Sequence, residues 1–331
     1  MSTMNTGIYR RLLQNLRNGG EAVMVTRCAS GAVTRELLDA GEWREEWGAS
    51  PSVADEDGET KIIERFLPKP RLIILGGGHI AVPLAAMGAL LSFDVTVFDD
   101  RPSFADKARF PAAGEVICDG FDRVTQRVTT GGRDAVVIAT RGHRHDLDCL
   151  RNVLKGEIPC YMGMIGSKHR AAAARRQMEE EGFDPAAVNS LHSPIGLAIG
   201  AVTPEEIALS VMAEIVKERR SSYRGGFADM GLIERLAGLE PGGNAAVVTI
   251  LSTRGSTPRG AGAKMAVFRD GSAAGSIGGG CAEADALRDA RDVAANGGYL
   301  FKTADMTGSA EEDGMACGGT MRLLIESAVQ P

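Results

Sequence analysis

Through the middle of the chain, short continuous apolar runs alternate with stretches of helical period. Residues 72–75 (LIIL), 94–98 (DVTVF), 116–118, 135–139 (AVVIA) and 160–163 are strand-like, and 80–91, 147–154, 171–181 and 205–219 are helix-like. Apolar strands separated by helices predict a parallel sheet covered on both faces. Thr203 and Pro204 form a cap and first-turn signal for the last of these helices. On either side the rhythm changes. Residues 1–70 predict a helix over 8–16 with Leu12, Leu13 and Leu16 on one face, a stop at Gly19-Gly20, and a strand over 21–27. An acidic loop over 42–59 and a strand over 61–67 follow. Residues 224–331 predict a helix over 232–239 and a strand over 245–251. After these come a hairpin about Asp270-Gly271, an Ala-rich helix over 281–295 and a strand over 320–326.

The expected fold class is therefore α/β: a Rossmann-like doubly wound parallel sheet over 71–223, plus a smaller α+β domain over 224–331. Residues 1–70 read as a shortened copy of that small domain. YRRLLQNLRNGGEAVMVT parallels LIERLAGLEPGGNAAVVT, and TKIIERFLPKP parallels TMRLLIESAVQP. The alternative is coincidence between short amphipathic patterns. The first copy lacks the Gly-rich runs of the third part, so it is expected to be scaffold.

Composition narrows the function. Thirty-seven Lys+Arg against 43 Asp+Glu leave a net charge of −6, which does not build the positive field that nucleic acid or an anionic membrane requires. No apolar run approaches the ~18 residues of a membrane span, and no secretory-type stretch opens the chain, so a cytoplasmic protein is expected. None of the six cysteines forms a C-x-x-C pair. Cys28, Cys118, Cys149 and Cys160 sit in apolar or strand-like surroundings and read as small hydrophobes, whereas Cys281 and Cys317 are crowded by glycine.

Gly76-x-Gly78-x-x-Ala81 follows the first apolar strand, as in a dinucleotide fingerprint: a tight turn, a close backbone approach to pyrophosphate, and close helix packing. Asp99, ending the second strand, is spaced for a ribose 2′-OH and favours NAD over NADP; a glycine turn that only permits packing is the alternative. Residues 140–148 (TRGHRHDLD) bring His143, His145, Asp146 and Asp148 to the carboxyl edge of the sheet, for a metal, an anion or plain helix capping. Ser167, Lys168 and Arg170 open the next helix, where an anion would be held. In the third part Arg254, Ser256, Thr257, Arg259 and Lys264 lie in a hydroxyl- and cation-rich loop. Gly278, Gly279 and Gly280 then lead Cys281 into a helix N-terminus, which favours a thiolate. Cys317 offers a second thiol beside Gly318-Gly319. Two Gly-flanked thiols beside such a loop suit a large, soft, phosphate-bearing ligand.

STRGSTPRGAGAKM, GSIGGGCAEA and GMACGGTMRLLIE closely resemble the small domain of the XdhC/CoxI family. ILGGGHIA, VTVFDDRPSFADKARFP, IGSKHR and SPIGLAIGAVTPEEIALSVMAEI are similar to its Rossmann-like domain. The resemblance implies a maturation factor for xanthine dehydrogenase-type molybdenum hydroxylases. Such a protein holds molybdenum cofactor (molybdopterin) while a cysteine desulfurase helps install a terminal sulfur, then passes it on. On this basis Cys281 or Cys317 is expected to touch molybdenum or relay sulfur, the glycine loops to take the phosphate, and Arg254 and Lys264 to take pterin or oxo groups. The family's usual order is small domain first; here the complete small domain comes second. A homodimer is the expected assembly. The competing reading is an NAD-dependent oxidoreductase acting on a small substrate, although no Tyr-x-x-x-Lys pair stands near the sheet edge.

Overall fold

The computed structural model describes residues 6–48, 50–222, 228–240, 243–306 and 318–329. In chain order these form α1 (Thr6–Arg17), β1 (Ala22–Ala29), β2 (Ala32–Asp39), β3 (Ser52–Glu56) and β4 (Glu59–Phe66). Next come β5 (Arg71–Leu75), α2 (Ala81–Leu90), β6 (Asp94–Asp99), β7 (Glu115–Cys118), α3 (Val124–Arg127), β8 (Ala135–Ile138) and α4 (His143–Lys155). Then follow β9 (Tyr161–Met164), α5 (Lys168–Glu180), α6 (Pro185–Asn189), β10 (Leu191–His192) and α7 (Pro204–Ser222). The last stretch holds α8 (Met230–Ala237), β11 (Ala245–Arg254), β12 (Lys264–Phe268), β13 (Ala273–Gly275), α9 (Gly280–Asn296), β14 (Tyr299–Asp305) and β15 (Thr320–Ser327).

These elements assemble into two compact units, one built from Lys69–Tyr223 and the other from Met1–Pro68 together with Arg224–Pro331. In the Lys69–Tyr223 unit six parallel strands run in the order β10-β9-β8-β5-β6-β7. Alternate residues of one strand feed opposite cores. Ile73 and Leu75 pack with Leu147, Leu150 and Met178 of α4 and α5; Leu72 and Ile74 pack with Leu84 of α2 and Met212 of α7. This is the doubly wound sheet that the apolar runs predict. α7 begins at a reciprocal capping box: Thr203 Oγ1 accepts the Glu206 N–H at 3.3 Å, and Glu206 accepts the Thr203 N–H at 3.0 Å.

The other unit holds two antiparallel sheets, β2-β1-β4-β3 and β13-β12-β11-β15-β14. Even-numbered residues of β1 (Ala22, Met24, Cys28) and odd-numbered residues of β11 (Ala245, Val247, Leu251) fill the same cores, so the sheets face each other. The outer face of β11 is covered by Ala282, Ala286, Ala290 and Val293 of α9, that of β1 by Trp43 and Trp47. Residues 42–59, expected as loop, contain β3 as an edge strand paired with β4. An acidic edge strand is polar on its free side and lacks the apolar alternation on which sequence reading depends.

Candidate functional site

In the two-sheet unit the three Gly-rich runs converge at one end of the sheet. β11 ends at Arg254, opposite Thr320 at the start of β15. A Cβ on Gly319 would lie 2.3 Å from Ser256 O, so the 254–256 and 318–319 backbones approach as only glycine permits. A Cβ on Gly278 would lie 2.4 Å from Pro258 Cβ and 3.4 Å from Arg259 Cγ, which brings the loop before α9 against the same segment. Arg254, Ser256 and Arg259 are exposed, and neither arginine has a carboxylate partner among the described residues. Thr257 Oγ1 donates to Arg259 O at 3.1 Å, shaping the loop. Cys281 is exposed in the first turn of α9. Cys317 lies outside the described residues.

Two expectations for this region change. Glu283, not an external group, takes the donors of the glycine loop. Its Oε2 accepts Ser276 Oγ at 2.6 Å and the N–H groups of Ile277 (2.9 Å), Gly278 (3.2 Å) and Gly279 (3.0 Å). Burial pushes the Glu283 carboxyl upward, but these hydrogen bonds outweigh it and hold it below the ordinary glutamate value. An anion is left the N–H groups of the first turn of α9, which have no intrahelical acceptor. Glu283 three residues after Gly280 is a first-turn acid signal that sequence reasoning passed over. The second change concerns Lys264. Its Nζ lies 2.8 Å from Glu64 Oε1 and 2.7 Å from Thr249 Oγ1, so it fastens the sheets together and does not face the loops.

The five described cysteines divide by surroundings. Cys28 and Cys149 are buried, Cys160 is half-buried, and Cys118, expected to be packed, is exposed alongside Cys281. Burial pushes the Cys28 thiol up to about 12 and that of Cys160 to about 11, and drives Cys149 well above the usual value. At pH 8 these three remain protonated. Iodoacetamide followed by peptide mass spectrometry should therefore label Cys118 and Cys281 first among the five; equal labelling of Cys149 would contradict its burial.

In the Lys69–Tyr223 unit the fingerprint behaves as its spacing suggests. Gly76 has φ 120°, and a Cβ there would lie 2.3 Å from Ala139 O. Gly77, missed at the centre of the triplet, is as constrained, with Phe104 O 2.5 Å from a Cβ. Gly78 has open space around it, and Ala81 is fully buried at the start of α2. Asp99 is fully buried and occupied: Oδ2 accepts the Gly77 N–H at 2.8 Å, and Arg101 Nε and Nη2 reach its two oxygens at 2.9 Å each. The acid placed for a ribose is thus a brace for the glycine loop. Asp100 is paired with Arg141 (Nη2 to Oδ2, 2.8 Å), a hydrogen bond that holds its carboxyl low.

The 140–148 run is helical from His143 onward, so its side chains fan around α4. Asp146 is buried and receives Thr140 Oγ1 and Arg170 Nη2; His145 packs on Phe121; Asp148 pairs with Arg151 at 3.0 Å. Among the described residues no cluster of three or more His, Cys, Asp or Glu is arranged to hold a metal ion. Ser167 caps α5 by accepting the Arg170 N–H at 3.3 Å, and Lys168 is exposed. Among the described residues no helix is long and apolar enough to cross a membrane.

Residues 72–215 match the model for the XdhC Rossmann domain, and residues 239–303 match that for the XdhC and CoxI family. The chain is 38% identical over 158 residues to a Bacillus subtilis protein named as a probable subunit of xanthine dehydrogenase, covering 48% of this chain and 46% of that protein. It is 30% identical over 158 residues to the uncharacterized protein YqeB of Escherichia coli, covering 47% and 29%. Both alignments thus span less than half of the curated relative. A crystal structure described as a xanthine dehydrogenase from Bacillus halodurans aligns with TM-score 0.51 and 28% identity, over 64% of each chain. With one model matching its doubly wound unit and another its glycine- and thiol-bearing sheet, the chain belongs to the XdhC and CoxI family.

Proposed function

We propose that this protein is a maturation factor that holds molybdenum cofactor for sulfuration and hands it to a xanthine dehydrogenase-type molybdenum hydroxylase, working with a cysteine desulfurase. The observation that carries this reading is the convergence of three Gly-rich runs beside the exposed Cys281, Arg254 and Arg259. The donor set fits the cargo. An exposed thiol suits a soft metal, first-turn N–H groups of α9 suit a phosphate, and two exposed guanidiniums suit oxo groups or pterin edges. When bound, the cargo supplies the metal on which the terminal sulfur is installed. The chain's own part is to orient it: glycines let backbone approach, Glu283 braces the loop, and Cys281 faces solvent where a donor or recipient protein can reach it. The name of the Bacillus subtilis relative supports a hydroxylase partner.

Anaerobic co-purification with a molybdenum and pterin assay tests this. Wild-type protein should retain both, and Cys281→Ala should lower retention at least about tenfold, since even an outer-shell partner of a metal is worth about that much. Undiminished transfer to a hydroxylase by the Cys281→Ala/Cys317→Ala double variant would refute the thiol role. An NAD-dependent oxidoreductase is the second reading, favoured by the open space at Gly78; hydride transfer from bound NADH to a carbonyl substrate would promote it.

A further inference from the structure

The sheets β2-β1-β4-β3 and β13-β12-β11-β15-β14 share more than a core. In β1, Met24 lies opposite Glu64 of β4 and Thr26 opposite Arg35 of β2. In β11, Val247 lies opposite Glu326 of β15 and Thr249 opposite Lys264 of β12. Thr26, Arg35 and Glu64 thus hold the same lattice positions as Thr249, Lys264 and Glu326. The strand orders agree as well: β2-β1-β4-β3 against β12-β11-β15-β14. The ion pairs run crosswise. Arg35 of the first sheet pairs with Glu326 of the second at 2.9 Å, and Lys264 of the second pairs with Glu64 of the first at 2.8 Å. Position i meets j′ while j meets i′, the signature of a two-fold, isologous contact. Other equivalent positions obey it. Cys28 and Leu251, Ile62 and Leu324, and Val53 and Phe301 share one cluster between the sheets. The equivalent helices α1 and α8 also meet, through Arg10 Nε to Ala237 O at 2.9 Å and Arg17 to Glu234 at 2.9 Å.

We infer that residues 6–66 are a second, site-less copy of the small domain that occupies, within the chain, the isologous face at which a single-copy domain would take its twin. The copy keeps the interface and has lost the site. Where the complete copy places the glycine loop, Cys281 and α9 between its second and third common strands, the described residues of the first copy form short turns bearing Trp43 and Trp47. The unit is in effect a fused homodimer with one thiol-bearing end.

Two measurements on the full chain test it. Hydrogen exchange of the β1 and β11 amides in the wild type should be unchanged over about a hundredfold dilution, because the face is closed within one chain. Protection that falls with dilution would overturn the inference. Lys264→Glu and Glu64→Lys should each lower the urea midpoint, and the Lys264→Glu/Glu64→Lys double variant should recover at least half of the summed loss. A double variant as damaged as the two singles combined would also overturn it. Should either single variant fail to fold, the dilution measurement still decides.

Discussion

Replacing Arg35 by methionine is expected to cost the two-sheet unit about 3–5 kcal/mol, read as a lower urea midpoint at pH 7. The side chains of Arg35 and Glu326 are 1% and 4% exposed, 2.9 Å apart. Removing the cation leaves a carboxylate in a dry core, which costs far more than an exposed pair would. Arg35 also donates to Ser327 O at 2.7 Å and lies 5.9 Å from the ring centroid of Tyr9, so methionine orphans a carbonyl and weakens packing. The pH dependence has a definite sign. Burial already raises the Glu326 carboxyl above its usual value, and Arg35 is the largest opposing influence. A raised acid contributes stability below its unfolded pKa and loses it as pH climbs through the folded value. Without Arg35 that folded value rises further, so the variant's deficit should narrow as the pH is lowered and Glu326 takes up a proton. Arg35→Met/Glu326→Gln should recover part of the loss at pH 7. A deficit below about 1 kcal/mol would mean that the pair behaves as a surface bridge.

The second large effect is expected at the glycine loop of the parallel sheet. Gly76→Ala places a Cβ 2.3 Å from Ala139 O and 2.6 Å from Ala139 C, at a φ of 120°. Both obstacles are backbone atoms of one residue, the one that follows central strand β8, and its N–H is tied to Leu75 O at 2.8 Å, so they have little room to move. Strain of about 1–3 kcal/mol and overlap of similar size give a combined cost of about 3 kcal/mol or more. Gly78→Ala is the control: nothing lies within 4 Å of its Cβ and its φ is not positive, so stability should change by no more than about 0.5 kcal/mol. If a nucleotide binds at this glycine turn, Gly78→Ala is the substitution that would weaken binding while leaving the fold intact. Thermal melts of the two variants give the comparison; equal melting points would refute the assignment of Gly76 to backbone crowding.

Some parts of the molecule were legible in sequence because their causes are local. Residues 72–75 and 135–139 are continuous apolar runs because both faces of their strands are covered, and such a run marks itself. The turn at Gly76, the cap at Thr203 and the hairpin about Asp270-Gly271 follow from the conformations those residues favour or permit. The glycine- and thiol-bearing motifs around Cys281 pointed to the same end of the small domain that the structure assembles. Edge strand β3 escaped notice because its exposed, acidic side gives no apolar period. Glu283 escaped because its partners are backbone donors created only when the preceding loop folds.

Thus the amino-acid order by itself determined the doubly wound unit, the family and the segment in which a soft anionic ligand would be sought, since periodicity and glycine spacing act over a few residues. Only the tertiary structure decided the fates of individual charges. Asp99 became a brace because Arg101 and the Gly77 N–H surround it, and Lys264 became a fastener because Glu64, far away in sequence, is folded against it. A buried charge settles on whichever opposite group the fold brings within about 3 Å, and no local pattern records that distance.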